Sequence, residues 1–237
     1  MKLYYDLHIH SALSPCASDD MTPNNIVNMC VLKGLDIIAV TDHNSARNVE
    51  AIANLGERKG LLVVPGMEVQ TKEEVHVLCY FHTLDHCYDF QAKWEESLPK
   101  VKNRPEYFGN QLVMDEDDEL VSEYPYLLLT SSSFGVEDLF RLMKHRGIAV
   151  FAHVDRSSFS VLSNLGFIPE MDGVNALEIS NAVNPEQFLM KYPALANYRI
   201  LQSSDAHYLG DIMERVNYVD LSSPSVEELL NHLSGFA

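Results

Sequence analysis

Basic residues are scarce in this chain of 237 residues: 17 Lys and Arg stand against 34 Asp and Glu, a formal charge of −17 at pH 7. A globally acidic surface repels a long polyanion, which argues against extended nucleic acid as the main partner unless something local reverses the field. Bound cations would reverse it. Long apolar runs are also missing. No window of ~18 or more apolar residues occurs, which removes a membrane span from the reading. The opening Met1-Lys2-Leu3-Tyr4-Tyr5-Asp6 has neither the apolar core nor the small-residue cleavage site of a secretion signal, and a cytoplasmic protein is expected. Cysteine is limited to Cys16, Cys30, Cys79 and Cys87, none in a CxxC pair, so reduced thiols are expected rather than a disulfide framework. There is no G-x-S-x-G elbow, no P-loop and no G-x-G-x-x-G, which leaves serine-hydrolase, nucleoside-triphosphatase and dinucleotide chemistry without support.

What is present is an ordinary globular composition, 46% apolar and 22% charged, ample for a core. No repeat, low-complexity tract or linker interrupts it, and α/β barrels fill this length as one unit, so a single domain over residues 1–237 is expected. A β-rich segment at 3–9 ends in His8-Ile9-His10. Thr22 and Pro23 start a helix to about residue 33, and the buried run Leu35 to Val40 stops at Thr41-Asp42-His43-Asn44. Ser45 is placed as the cap of a helix to Lys59, and Leu61 to Val64 opens a strand leading to Gly66-Met67-Glu68. This β-α-β-α-β order predicts parallel strands with outer helices. A turn at Lys72-Glu73-Glu74 then leads into Val75 to Tyr80, a helix is expected near 87–102, and a hairpin spans the acidic stretch Asp115 to Glu119. Further strands end at His153, at Ile179 and at Ser203-Ser204-Asp205-Ala206-His207. A strand at 216–221 and a helix at 226–233 close the chain.

The histidines fall where the strands stop. His8, His10, His43, Glu68, His153, Asp205 and His207 all sit at C-terminal strand ends, with His76 on the strand after Glu68. In barrels and doubly wound sheets that edge is where ligands bind. His-x-His on a strand puts two imidazoles on one side, because side chains repeat every two residues. Neutral imidazoles with carboxylates suit divalent ions such as zinc, manganese or iron, and the lack of clustered thiolates argues against a structural zinc finger.

Asp6-Leu7-His8-Ile9-His10-Ser11, Thr41-Asp42-His43-Asn44, Gly66-Met67-Glu68, Val75-His76-Val77-Leu78, Ala152-His153 and Ser204-Asp205-Ala206-His207, taken together and in order, resemble the PHP (polymerase and histidinol phosphatase) family from residue 4 to about 210. The resemblance implies a distorted (β/α)7 barrel with a trinuclear metal site at the C-terminal rim. Carried over, His8, His10, Glu68 and Asp205 hold one ion, Glu68 bridges to a second held by His76 and His153, and His43 and His207 hold a third. The third needs one more ligand from the segment after His10. Here the chain departs from the commoner Ser-Asp-Gly spelling and reads Ser14-Pro15-Cys16-Ala17-Ser18-Asp19-Asp20. Asp20, at the helix start, is favoured, with Asp19 and Cys16 left open.

The implied activity is hydrolysis of a small phosphate ester (a phosphorylated metabolite, a nucleotide or a short oligonucleotide) by metal-bound hydroxide, using two or three divalent ions of zinc, manganese or iron. Arg156 is the candidate phosphate clamp, because guanidinium matches phosphate oxygens bidentately. His207 is the candidate for proton traffic, and Asn44 with Arg47 marks a second anion-binding candidate at a helix start. The alternative of another class is a non-catalytic, metal-stabilised scaffold or regulatory module.

Overall fold

The computed structural model describes residues 1–235. Ten strands form: β1 (Lys2–Ile9), β2 (Ile37–Val40), β3 (Leu62–Gln70), β4 (His76–Phe81), β5 (Leu112–Met114), β6 (Leu120–Glu123), β7 (Gly147–Phe151), β8 (Ala176–Ser180), β9 (Arg199–Ser203) and β10 (Tyr218–Asp220). Eight make one curled sheet in the order β10-β1-β2-β3-β4-β7-β8-β9, and β5 pairs with β6 in a separate hairpin. The expected parallel triplet β1-β2-β3 is there, and β7-β8-β9 forms a second one. Between them β4 runs antiparallel to both β3 and β7. A parallel bridge from Ile9 to Ala206 brings the two ends of the curl together. The result is the expected distorted α/β barrel, widened to eight strands by β10 pairing antiparallel to β1.

Helices α1 (Pro23–Leu32), α2 (Val49–Lys59), α3 (Leu84–Glu96), α4 (Pro105–Phe108), α5 (Val136–Met143), α6 (Val161–Asn164), α7 (Pro185–Lys191) and α8 (Val226–Ser234) complete the chain. The inner face of the sheet packs Leu3, Tyr5, Leu7, Ala39, Leu78, Val150 and Leu201 against Leu229, Leu230 and Leu233 of α8. Outside, α1 and α2 cover one side of the sheet through Ile26, Val27, Ile52 and Leu55, and α3, α5 and α7 cover the other through Phe90, Trp94, Leu139 and Phe188. No described helix is long and apolar enough to cross a membrane.

Most element bounds match the sequence reading within a few residues; α3 ends at Glu96 rather than near 102, and α2 differs at its start. It begins at Val49, not just after Ser45, because the intervening polar groups are drawn into other bonds. Ser45 Oγ and the Ala46 amide both donate to Gln91 Oε1, and Asn48 Nδ2 donates to Ser11 Oγ and to the Leu112 carbonyl. Gly60 closes the helix in the left-handed region at φ 73°, the conformation a C-terminal glycine takes without strain.

Candidate metal centre

The site grows from the way β1 ends. Leu3, Tyr5 and Leu7 face the inside of the curl, so strict alternation would send His8 outward. The pairing with β2 slips between Asp6 and Ile9, and beyond the slip it is Ile9 that joins the outer layer with α1 and α2. Such an irregularity re-aims the side chains that follow it. His8 and His10 therefore point together into the rim, both fully buried. His43 arrives by continuation of β2: a bridge pairs it with Glu68, and the Asn44 amide donates to the Glu68 carbonyl at 2.7 Å. Because β4 is antiparallel, its first residue, His76, lies opposite Gln70 at the same rim. His153 and Asp205 follow β7 and β9 at φ 29° and 52°. Both are left-handed positions that turn the chain sharply and throw the side chain inward, the kind of local strain found at binding sites.

Glu68 is the hub, 1% exposed. Its Oε1 lies 3.0 Å from His76 Nδ1, 3.2 Å from His153 Nε2 and 3.5 Å from His8 Nε2. Its Oε2 lies 3.0 Å from His43 Nδ1 and 3.5 Å from His10 Nε2 without an aligned hydrogen bond to either. Asp205 Oδ1 is 3.1 Å from His8 Nε2 and 3.0 Å from His10 Nε2, and those two imidazole nitrogens face each other at 3.1 Å. Three overlapping groups have one donor atom per residue within 4.8 Å of one another: His8, His10 and Glu68; His43, Glu68 and His76; and His10, His43 and His207. Each group could hold one ion.

The electrostatics agree with that donor chemistry. Asp6, Asp42, Glu68 and Glu178 are buried together with His8, His10, His43, His76 and His153, and no lysine or arginine is buried among the described residues. Buried carboxylates without compensating cations are costly, so the cluster fits a divalent ion. Burial disfavours a charged His8, yet Asp205, Glu178 and Glu68 outweigh it and hold its pKa well above the ordinary value. His43 is likewise pushed up against its burial, by Glu68 and Cys16. Burial drives His10 down, helped by His43 and His207, so it stays neutral. Burial would raise Asp205, but His8 and His10 hold it well below the usual carboxylate range.

Outer partners decide which nitrogen faces in. Glu178 takes His8 Nδ1 at 3.0 and 3.2 Å and also accepts the His153 amide at 3.0 Å. Ser14 Oγ meets His10 Nδ1 at 3.0 Å while donating to Asp42 Oδ1 at 2.7 Å, and Asp42 further accepts the Ser11 amide and hydroxyl. The Asp205 carbonyl sits 2.8 Å from His207 Nδ1. Such partners fix the tautomer and the ring plane. Glu178 and Ser14 went unrecognised in the sequence. The one available signal for Glu178 was a lone acid in the otherwise apolar Ala176-Leu177-Glu178-Ile179.

Every predicted ligand but one is brought to this rim. Asp20 is exposed and, like the equally exposed Cys16, belongs to none of the three groups; its carbonyl accepts from Asn25 Nδ2 at the start of α1. Asp19 is tied to Asn110 Nδ2 at 2.7 Å. The helix start draws both residues away, and the Cys16 thiol faces His43 and His207 in their place. Burial raises its pKa, but the two imidazoles outweigh it and bring the thiol down to about 7. Arg156 lies at the mouth, its Nη1 2.6 Å from Asp205 Oδ2. Arg47 is engaged elsewhere, paired with Glu95 at 2.8 Å and lying over the Tyr124 ring. Asn44 is buried, bonded to Trp94 Nε1 and to the Leu128 and Thr130 carbonyls, so neither residue offers an anion site. The sequence reading did not anticipate Phe159, 43% exposed at φ 54°, whose ring stacks on His76 at 5.0 Å.

A sequence profile of the PHP domain matches residues 6–172. Over 78 residues the chain is 35% identical to a phosphoribosyl 1,2-cyclic phosphate 1,2-diphosphodiesterase of Eggerthella lenta, a stretch covering 31% of this chain and 29% of that protein. Among solved structures, the lesion-specific endonuclease Q of Pyrococcus furiosus superposes with a TM-score of 0.71 at 19% identity, covering 100% of this chain and 57% of its own. A protein of Bifidobacterium adolescentis assigned as a metal-dependent phosphoesterase superposes at 0.63 and 19% identity, with 95% of each chain covered. At these identities the structures testify to the fold, and the profile, spanning well over half of the chain, to the family: the chain belongs to the PHP domain family.

Proposed function

We propose that the chain is a metal-dependent phosphoesterase that hydrolyses small phosphate esters, namely nucleotides, short oligonucleotides or phosphorylated metabolites. The observation that carries this reading is the cluster of buried imidazoles and carboxylates with no buried lysine or arginine beside it. His8, His10, Glu68 and Asp205 would hold one ion, Glu68, His76 and His153 a second, and His43 and His207 a third. Zinc, manganese and iron all suit these donors. When bound, such ions supply Lewis acidity toward phosphoryl oxygens and lower the pKa of water in the cleft.

The protein's own groups do the rest. Arg156 is held by Asp205 on one side and is 43% exposed in its side chain, leaving guanidinium donors free for the phosphoryl oxygens of an incoming ester. His207 is the most exposed of the clustered histidines, at 24% of its side chain. With Nδ1 turned to the Asp205 carbonyl, its Nε2 is the atom that can pass a proton to the departing oxygen whenever it is not itself a ligand. Phe159 and Arg156 share the loop that follows His153, so the mouth offers an aromatic wall beside a cation. That pairing supports nucleotide-like esters. The acidic body favours small substrates over long nucleic acid.

The test is turnover of a panel of phosphomonoesters, cyclic phosphates and dinucleotides by stripped and by metal-loaded protein, with elemental analysis of the same samples. Hydrolysis that appears on loading supports the reading. A fully loaded protein inert across the panel would overturn it in favour of a metal-stabilised scaffold.

A further inference from the structure

The departure after His10 has a structural answer that the ordinary family spelling does not supply. The segment Ser11 to Met21 is not a free loop. Ser14 Oγ is within 3.0 Å of His10 Nδ1 and accepts the His43 amide at 3.1 Å, and the Ala17 amide returns to the Ser14 carbonyl at 2.9 Å. On the other side of Cys16, the Ser18 amide donates to the His207 carbonyl at 2.9 Å. Cys16 is thus fastened on both flanks to histidines that form one group. The clamp is tight from outside as well, since a Cβ on Gly109 would meet the Pro15 carbonyl oxygen at 1.9 Å. Independently, Glu68 Oε2 is buried and lacks a hydrogen-bond partner while lying 3.0 Å from His43 Nδ1 and 3.5 Å from His10 Nε2, an unspent acceptor beside two of those histidines. Both near acids are committed outward, Asp19 to Asn110 and Asp20 to the surface.

We infer that Cys16 is the anionic ligand of the third ion, joining His43 and His207 in place of a carboxylate. This rests on the metal-centre part of the proposed function and not on turnover. A thiolate carries the same single charge as a carboxylate but is a soft donor, so this position selects zinc, iron or cobalt over manganese, unlike the two all-imidazole and carboxylate positions. Cys30, Cys79 and Cys87 are fully buried in the apolar layers between sheet and helices, so Cys16 is the one thiol that reaches the rim.

The experiment is titration of chelator-stripped protein with Co2+, followed by thiolate-to-cobalt charge-transfer absorption in the near ultraviolet. Wild type should develop that absorption as one of its equivalents fills. Cys16→Ser should lose it and release that equivalent by at least ~10–100-fold, the range for losing even an outer partner of a ligand, while the remaining equivalents bind as before. Cys16→Asp should lose the absorption, keep the equivalent and shift its preference toward Mn2+. Melting of the stripped variants checks that both fold. Full cobalt occupancy of wild type without the absorption, or Cys16→Ser that keeps both band and affinity, would overturn the inference and leave the phosphoesterase reading standing. A wild type that binds no cobalt would overturn both.

Discussion

Glu178 gives the sharpest single test of how the site is held. It is 2% exposed and touches two candidate ligands at once, His8 through Nδ1 and His153 through its amide. Glu178→Gln keeps the shape and one oxygen. If that oxygen takes the place of Oε2, it still accepts from His8 and from the His153 amide, and the new NH2 group falls where Oε1 stood, buried without an acceptor. An unsatisfied buried donor costs about 1–3 kcal/mol, and for a domain of this size each kcal/mol lowers Tm by about 2–4 °C. At a pH above the folded value of His8, where no charged His8–Glu178 pair is lost as well, the stripped protein should melt lower by that amount. A second loss appears only with metal, because the neutral amide polarises His8 less and leaves its ring less firmly aimed. Changes of this kind weaken metal affinity by ~10–100-fold, which is about 1.4–2.7 kcal/mol. At a fixed excess of metal the loaded variant should therefore drop further than the stripped one, and the gap between loaded and stripped Tm should narrow by about 3–10 °C. Differential scanning calorimetry of both proteins in both states measures this. An equal drop with and without metal would reduce Glu178 to a packing residue with no hold on the metal ligands.

The pKa values of His8 and His43 are raised well above 6.5 in the stripped fold, so they contribute stability that is complete below 6.5 and lost as pH rises through their folded values. Ion binding needs both imidazoles deprotonated, so metal stabilisation grows over the same range. Melting with and without Zn2+ from about pH 6 to about pH 8 should show the two Tm values diverging; parallel curves would contradict the assignment. Arg156→Gln should change stability by less than ~1 kcal/mol, as for exposed ion pairs, while kcat/KM for the best ester falls ~10–100-fold, the loss of one charge-assisted contact. An unchanged kcat/KM would remove Arg156 from phosphate binding. Phe159→Ala should raise KM ~2–10-fold for esters with an aromatic leaving group and leave alkyl esters nearly unaffected; equal effects on both would mean that the ring does not stack on substrate.

The rim was legible in the sequence because buried strands write themselves as short apolar runs, and several of them stop at a histidine or an acid. Leu35 to Val40 before His43, and Ile148 to Ala152 before His153, are of this kind. The second layer of the site was not legible. Glu178 lies within a strand, and Ser14 within a turn whose course depends on contacts with Asp42 and His43, over 25 residues away. The same nonlocal packing explains the misplaced Asp20. Its place just before Met21-Thr22-Pro23 at the helix start favours Asp20, but the fold leaves that acid at the surface and turns Cys16 toward the histidines. The late start of α2 also depends on distant partners, Gln91 for Ser45 and Ala46, and Ser11 for Asn48.

The buried imidazole and carboxylate cluster is proposed as a hydrolytic metal centre, and its dependence on bound ions can be read directly. The most direct measurement is the initial rate of phosphoester hydrolysis as stripped protein is titrated with Zn2+, Mn2+ or Fe2+, the bound metal being counted by inductively coupled plasma analysis at each point. Turnover should be absent without metal and rise as the second equivalent binds, and Glu68→Gln should abolish it. Turnover that persists in the stripped protein, or none at full occupancy with any of the three ions, would contradict the metal-centre assignment.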